Sequence, residues 1–350
     1  MIKHILYILI YIVSIFPAFS QEIENKKDSI KNDLSNFSDG PYVFIDNNRL
    51  IEKTILKGKV FSRILESNAY DTVFSPEKST YRKVKNIAAL SDIHGKYDLA
   101  VEILKNNKII DENLNWRFGE GHLVIVGDVF DRGDKINEVL WLIYKLEIQA
   151  KNKGGRVHFL LGNHEYMILQ KDLRYINKKY MLTSKLLNLE YDQLYSNKTI
   201  IGRWLRSKST IIKINNTIFV HGGVSEDFVA ANGFNLKKTN QLMRRSIDRV
   251  KEEMHSNDFD AIYFGNKSLI WYRGYFYDDL QDKDISKILK LVKSKHIVVG
   301  HCSNKEVVQL YNNKIFGVDS SIQKGIYGEI LLIKNKQFYR GTLNGKKIQF

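Results

Sequence analysis

Cysteine occurs once in the 350 residues, at Cys302, and proline three times. A single thiol excludes an internal disulfide, so the fold must rest on its core and on any metals it binds. Cys302 itself reads as a small buried hydrophobe. Three prolines argue against long proline-rich linkers, and neither internal repeats nor low-complexity tracts occur. Acidic residues are in short supply, 39 against 54 Lys plus Arg, for a net charge of +15. Such a balance favours phosphorylated or other acidic partners. The lysines are scattered (Lys57, Lys59, Lys213, Lys334, Lys336), so nucleic-acid binding does not follow, and a solvated lysine-rich exterior is the plainer reading. What is present is ample core material: 43% hydrophobic residues in a length that suits one large domain or two small ones.

The first twenty residues stand apart. Lys3 and His4 precede an uncharged stretch from Ile5 to Phe19 that ends in Pro17-Ala18-Phe19-Ser20. This is the pattern of a signal peptide, 1–20, with cleavage after Ser20 and export to the periplasm or medium. The apolar stretch is short for a membrane span, although an uncleaved N-terminal anchor is the alternative. No cysteine lies near the cleavage point, which argues against a lipoprotein. Residues 21–83 read as a polar linker and an extension, with a strand, turn and strand over Tyr42–Ile45, Asp46–Asn48 and Leu50–Ile55. From residue 84 to 350 strands alternate with helical patterns, such as Ile136 to Ile148 with apolar Val139, Leu140, Ile143 and Leu146. That rhythm is α/β.

Five apolar runs end in polar islands. Ile87–Leu90 leads to Ser91-Asp92-Ile93-His94-Gly95, and Leu123–Val126 to Gly127-Asp128-Val129-Phe130-Asp131-Arg132-Gly133. Val157–Leu161 leads to Gly162-Asn163-His164-Glu165, Thr217–Val220 to His221-Gly222-Gly223, and Ile297–Val299 to Gly300-His301. Strand ends in open α/β sheets are where ligand sites gather. The 57 residues between Asn163 and His221 have little strand character and read as helices and a loop over the site. Ile315 to Ile333 with Phe338-Tyr339 reads as a closing run of antiparallel strands.

Mixed Asp, Asn and His donors suit borderline divalent ions such as Zn, Mn or Fe rather than Ca. A phosphate ester repels an incoming nucleophile, and two such ions about 3.5–4 Å apart overcome this by acidifying water and clamping phosphoryl oxygens. One carboxylate must bridge them. Asp92, His94 and Asp128 could hold the first ion, and Asp128, Asn163, His221 and His301 the second. Read singly, these residues have plain alternatives: Asp92 and Asp128 as strand-ending turns, Asn163 as a helix cap. Their order along the chain favours the metal reading. His122, His158 and His296 lie in strands and read as structural, and Glu165 as a helix first-turn residue.

The islands resemble the phosphoprotein phosphatase family, within the calcineurin-like metallophosphoesterases, whose motifs run GDxHG, GDxxDRG, GNHE, HGG and a late His. Ser91 stands where the first motif has Gly. The run Trp271-Tyr272-Arg273-Gly274, with the leader, looks closest to the bacterial Shewanella-like branch. The resemblance spans roughly residues 84 to 320. It implies a sandwich of two mixed β-sheets flanked by helices and a metal-dependent phosphomonoesterase. His164 would protonate the leaving oxygen, Asp131 would hold His164, Arg132 would fork onto two phosphoryl oxygens, and Arg273 would be a second clamp. Direct attack by metal-bridging hydroxide, with no phosphoenzyme, is the implied reaction. Gly300-His301-Cys302-Ser303 lacks the Gly-His-x-His of other calcineurin-like enzymes, and the Asp131-Arg132-Gly133 run argues against dinucleoside tetraphosphate hydrolases.

The implied substrate is a phosphorylated protein, peptide or small molecule, serine/threonine and possibly tyrosine esters among them. Phosphodiester or nucleotide hydrolysis on the same metals is the alternative, and an inactive phospho-ligand module a third. Gly202–Arg206, with Lys171, Arg174 and Lys178, reads either as a substrate groove or as a solvated basic face.

Overall fold

The computed structural model describes residues 34–249 and 258–350. The expected leader and most of the polar stretch after it lie outside these residues. Strands β1 (Asp39–Asp46), β2 (Arg49–Leu56) and β3 (Lys59–Leu65) form an antiparallel sheet of their own. Both hairpins turn on two residues of positive φ, Asn47-Asn48 and Lys57-Gly58, the conformation whose twist matches paired strands. The expected strand–turn–strand is there, and β3 extends it. β3 is exposed along almost its whole length, so it has no inward face. The meander docks through the Pro41 carbonyl, which accepts from Asn137 Nδ2 at 3.1 Å and Trp141 Nε1 at 2.9 Å.

The rest is a sandwich of two six-stranded mixed sheets. The first runs β15 (Lys347–Gln349), β14 (Gln337–Gly341), β13 (Ile330–Lys334), β5 (Asn86–Leu90), β6 (His122–Ile125), β7 (Arg156–Phe159). The second runs β11 (Val308–Leu310), β12 (Ile315–Gly317), β10 (His296–Val299), β9 (Thr217–Val220), β8 (Ile211–Ile214), β4 (Thr80–Tyr81). Alternation divides the core in two. Ile87, Ala89 and Val124 face Phe219, Val298 and Phe316 across the sandwich. Ala88, Leu90 and Leu123 point the other way, into the larger core beneath helices α1 (Tyr97–Asn106) and α2 (Ile136–Asn152). Strands buried on both faces read as unbroken apolar runs, which is why these were recognisable. Each fully buried Val, Leu, Ile or Phe among them contributes about 1.5–3 kcal/mol.

After β7 the chain is helical through α3 (Asn163–Leu169), α4 (Lys178–Leu187) and α5 (Ile200–Arg206), as its composition implied. One expectation needs correction. β12 does not join the closing antiparallel run; it pairs in parallel with β10 in the second sheet, while β13, β14 and β15 pair antiparallel in the first. An apolar run marks a strand but not its partner.

β5, β6 and β7 are mutually parallel, as are β9 and β10, so the five islands emerge on one edge. Hydrogen bonds tie them together: Asp92 N to the Gly127 carbonyl at 3.1 Å, and Gly300 N to that of His221 at 2.9 Å. The His301 N–H donates to Asp92 Oδ2 at 3.0 Å, joining the two sheets.

Candidate active site

Asp92, His94, Asp128, Asp131, Arg132 and His301 all have positive φ, between 44° and 69°. Side chains rarely adopt this region, and each instance costs on the order of 1–3 kcal/mol. The neighbouring bonds must hold it. Glu165, fully buried at the start of α3, accepts from the N–H groups of Gly162 (2.7 Å), Asp128 (2.8 Å), Val129 (2.7 Å) and Phe130 (3.3 Å). It is a clamp on the Asp128 turn as well as a first-turn residue. Glycine is required at 162, where a Cβ would lie 2.3 Å from Asp128 Oδ1.

Asp128 Oδ2 is the centre of the cluster. His221 Nε2 lies 3.1 Å from it, and the Nε2 atoms of His94 and His164 each 3.8 Å. Two groups have the spacing of metal ligands: His94, Asp128 and His164, and Asp128, His221 and His301. Asn163 Oδ1 is 2.9 Å and His301 Nδ1 3.2 Å from His221 Nε2. Asp92 sits at the edge, its Oδ1 3.9 Å from His94 Nε2.

Backbone carbonyls aim the rings. His94 Nδ1 donates to Phe130 O at 2.6 Å and His221 Nδ1 to Val126 O at 2.7 Å, so both turn Nε2 inward. Metal-binding imidazoles are oriented in this way. Burial pushes the His94 imidazole down to about 3, which leaves the ring in the neutral form a metal takes. Burial also raises the Asp92 carboxyl well above its ordinary value, and the Asp319 carboxylate nearby raises it further. For Asp128 burial is outweighed by the imidazoles of His221, His164 and His94, which hold it well below the usual carboxylate range. Burial opposes protonation of His221, yet Asp128 raises it to about 10. His301 turns Nδ1 toward His221 Nε2, and its Nε2 is buried with no hydrogen-bond partner among the described residues. Inward-turned imidazoles, buried carboxylates that repel one another and an amide oxygen fit divalent metal ions.

The remaining site residues face the same cleft, of about 420 Å³. His164 Nδ1 and Asp131 Oδ2 are 2.5 Å apart, and Arg132 Nη2 lies 3.4 Å from His164 Nε2. Arg132 also contacts Gln323, whose amide donates to Ser303 Oγ at 2.8 Å. Ser303 in turn donates to Asp319 Oδ2 at 2.6 Å. Arg273, Trp271 and Tyr277 also line the cleft, and Tyr175 stands beside His164. His94 and His221 lie deeper, fully buried.

All ten residues read from the sequence therefore converge. Asp319, Ser303, Gln323, Tyr175 and Tyr277 were not anticipated. For Asp319 a signal existed, since it too closes an apolar strand run, Ile315–Val318. The Gly202–Arg206 cluster, Lys171, Arg174 and Lys178 do not line this cleft. Arg206 pairs with Asp248, Arg203 donates to backbone carbonyls, Lys171 pairs with Asp192, and Arg174 pairs with Asp172 and lies over the Tyr175 ring. Burial pushes the Cys302 thiol up to about 12, despite nearby Arg273, so it is no thiolate nucleophile at neutral pH.

Residues 85–314 match the calcineurin-like phosphoesterase family. The chain belongs to that family, and is a metal-dependent phosphoester hydrolase. Among named relatives it is similar to Shewanella-like protein phosphatase 1 of Plasmodium berghei, 28% identical over 263 residues that cover 70% of this chain and 71% of the relative. Shewanella-like protein phosphatase 2 of Arabidopsis thaliana is 23% identical over 71% of this chain and 74% of its own. Among solved structures, a cold-active protein-tyrosine phosphatase of a psychrophilic Shewanella species is 39% identical. It superposes with a TM-score of 0.86 over 89% of this chain and 99% of the other.

Proposed function

We propose that the chain is a two-metal phosphomonoesterase for phosphorylated proteins or peptides, and that aryl esters such as phosphotyrosine are its better substrates. Asp92, His94 and Asp128 hold one divalent ion, and Asp128, Asn163, His221 and His301 the other, with Mn, Zn or Fe suiting the donors. When bound, the ions supply an activated water and neutralise phosphoryl charge. The chain's own residues do the rest. Arg132 presents a planar fork to two phosphoryl oxygens, and Arg273, which lines the same cleft, is a second clamp. His164 delivers its Nε2 proton to the leaving oxygen. Asp131, 2.5 Å from its Nδ1, orients the ring.

The carrying observation is the 2.5 Å His164–Asp131 pair facing two arginines beside a histidine–carboxylate cluster. The aryl preference rests on Tyr175, Trp271 and Tyr277 around the same cleft, surfaces on which a phenyl ring can pack. The likeness to a tyrosine phosphatase at 39% identity supports it. Turnover of phosphotyrosine and phosphoserine peptides of one sequence is the test. A higher kcat/KM for phosphotyrosine, reduced toward parity by Tyr277→Ala, is expected. A faster phosphoserine reaction would contradict the preference, and faster bis(p-nitrophenyl) phosphate hydrolysis than monoester hydrolysis would replace it with a diesterase.

Export belongs to the same proposal and rests on residues 1–20 alone. A mature N-terminus at Gln21 is the expected mass-spectrometric result. Among the described residues no helix is long and apolar enough to cross a membrane.

A further inference from the structure

β5, β9 and β10 carry the catalytic islands at their carboxyl ends, so their amino ends open on the far edge of the sandwich. A cleft of about 1060 Å³ lies there, more than twice the volume at the catalytic end. Arg82, Lys83, Lys85, Lys213, Lys295 and Lys336 line it, and no Asp or Glu does. Lysines spread through the sequence are thus brought together by the fold. None of the six pairs with a carboxylate among the described residues. Lys213 instead contacts the Lys293 carbonyl, and burial, with Arg82 and Lys293 nearby, pushes its ammonium below the ordinary value.

The frame that carries these cations is fixed. Asn215, in the β8–β9 turn, accepts from Val84 N at 3.2 Å and donates to Val84 O at 2.8 Å. Lys295 N and His296 N both donate to the Asn216 carbonyl, at 2.8 and 3.2 Å, and Asn335 N donates to that of Lys85 at 3.1 Å. The lining also includes apolar Ile87, Ile333 and Phe338, the last stacked on Phe316 at 4.3 Å. Ordered walls lower the cost of binding, and like charges held together without counter-charge lose repulsion when an anion enters.

We propose that this cleft is a second anion site, which takes a phosphorylated molecule bearing several negative charges on one end and an apolar body on the other. The charged end meets the lysines and the apolar end lies over the partly buried Phe338. A soluble organic phosphate and an anionic lipid headgroup share this chemistry.

Calorimetry on the intact chain with the imido analogue of ATP, at low and moderate salt, tests the soluble source. Cosedimentation with cardiolipin-containing vesicles, whose headgroup carries two phosphates, against phosphatidylcholine vesicles, tests the lipid source. Lys85→Glu/Lys336→Glu should weaken binding of whichever probe is held by about tenfold or more and leave p-nitrophenyl phosphate turnover unchanged. Lys83→Gln/Lys295→Gln, at exposed positions, serves if the first pair misfolds. Binding should also weaken with salt, as screened charge contacts do. Loss of binding in either pair upholds the site, and the probe that was bound identifies the source. Binding that survives both pairs but is abolished by Arg132→Gln would assign the anion to the catalytic cleft alone and overturn the proposal. A folded parent that holds neither probe would overturn it equally.

Discussion

The Glu165 carboxylate accepts the backbone N–H of Asp128 at 2.8 Å, so an acid on one helix fixes the turn that carries the central carboxylate of the site. The same carboxylate holds three further N–H groups. Burial pushes it up and the Asp128 carboxylate adds to this, with those N–H bonds opposing.

Glu165→Ala should therefore leave four buried donors without an acceptor and free a turn held at positive φ. We expect a loss of about 2–4 kcal/mol in denaturant unfolding and about 10–100-fold in metal affinity. Metal titration of the apo-protein checks the second figure. Unchanged affinity in a folded variant would remove Glu165 from the support of the metal centre.

His164→Asn separates proton donor from ligand. Its Nε2 lies as far from Asp128 Oδ2 as that of His94, 3.8 Å, so proximity alone does not distinguish the roles. The Asp131 contact at Nδ1 favours the donor role. Turnover should fall by about 10²–10⁴-fold while metal content stays at the parental level. Loss of metal from the variant would make His164 a ligand instead.

Away from the site, Glu77 sits between His158 Nδ1 at 3.1 Å and Lys208 Nζ at 3.4 Å. Burial alone would raise its carboxyl, but the His158 hydrogen bond and the Lys208 charge bring it down from 4.5 to about 2. A folded value below the unfolded one gives stability that is complete above the unfolded value and lost as pH falls. That stability should be present above pH 4.5 and should disappear as the pH falls toward 2. It amounts to at most about 3 kcal/mol. Burial, with His158, pushes His122 down to about 3, so its contribution falls in the same direction below its ordinary 6.5. Denaturant unfolding between pH 6 and 3 should show a shallower acid slope for Glu77→Gln than for the parent. Equal slopes would mean Glu77 is not held ionised in the fold.

The site was legible because each metal-ligand candidate ends an apolar run. Asp92, Asp128, Asn163, His221 and His301 follow strands buried on both faces, and such strands leave a continuous apolar signature. What was not legible has physical reasons as well. Glu165 gave a helix-start signal, yet three of its four N–H partners lie 35 to 37 residues earlier, made close only by the parallel pairing of β6 and β7. Ser303, Gln323 and Asp319 meet through loops whose spacing is set by the second sheet. β3 is almost wholly exposed and left no pattern of burial. The basic cleft was invisible because lysines far apart in sequence meet only when β5, β10 and two hairpin turns share an edge.

The central claim is that hydrolysis depends on metals gathered around Asp128. Its most direct test is p-nitrophenyl phosphate turnover by chelated protein, before and after Mn²⁺ or Zn²⁺ is returned, with metal analysis, beside Asp128→Asn. Activity that vanishes on chelation, returns with about two ions per chain and stays absent in a folded Asp128→Asn variant is the predicted result. Full activity in the chelated protein, or in the variant, would contradict it.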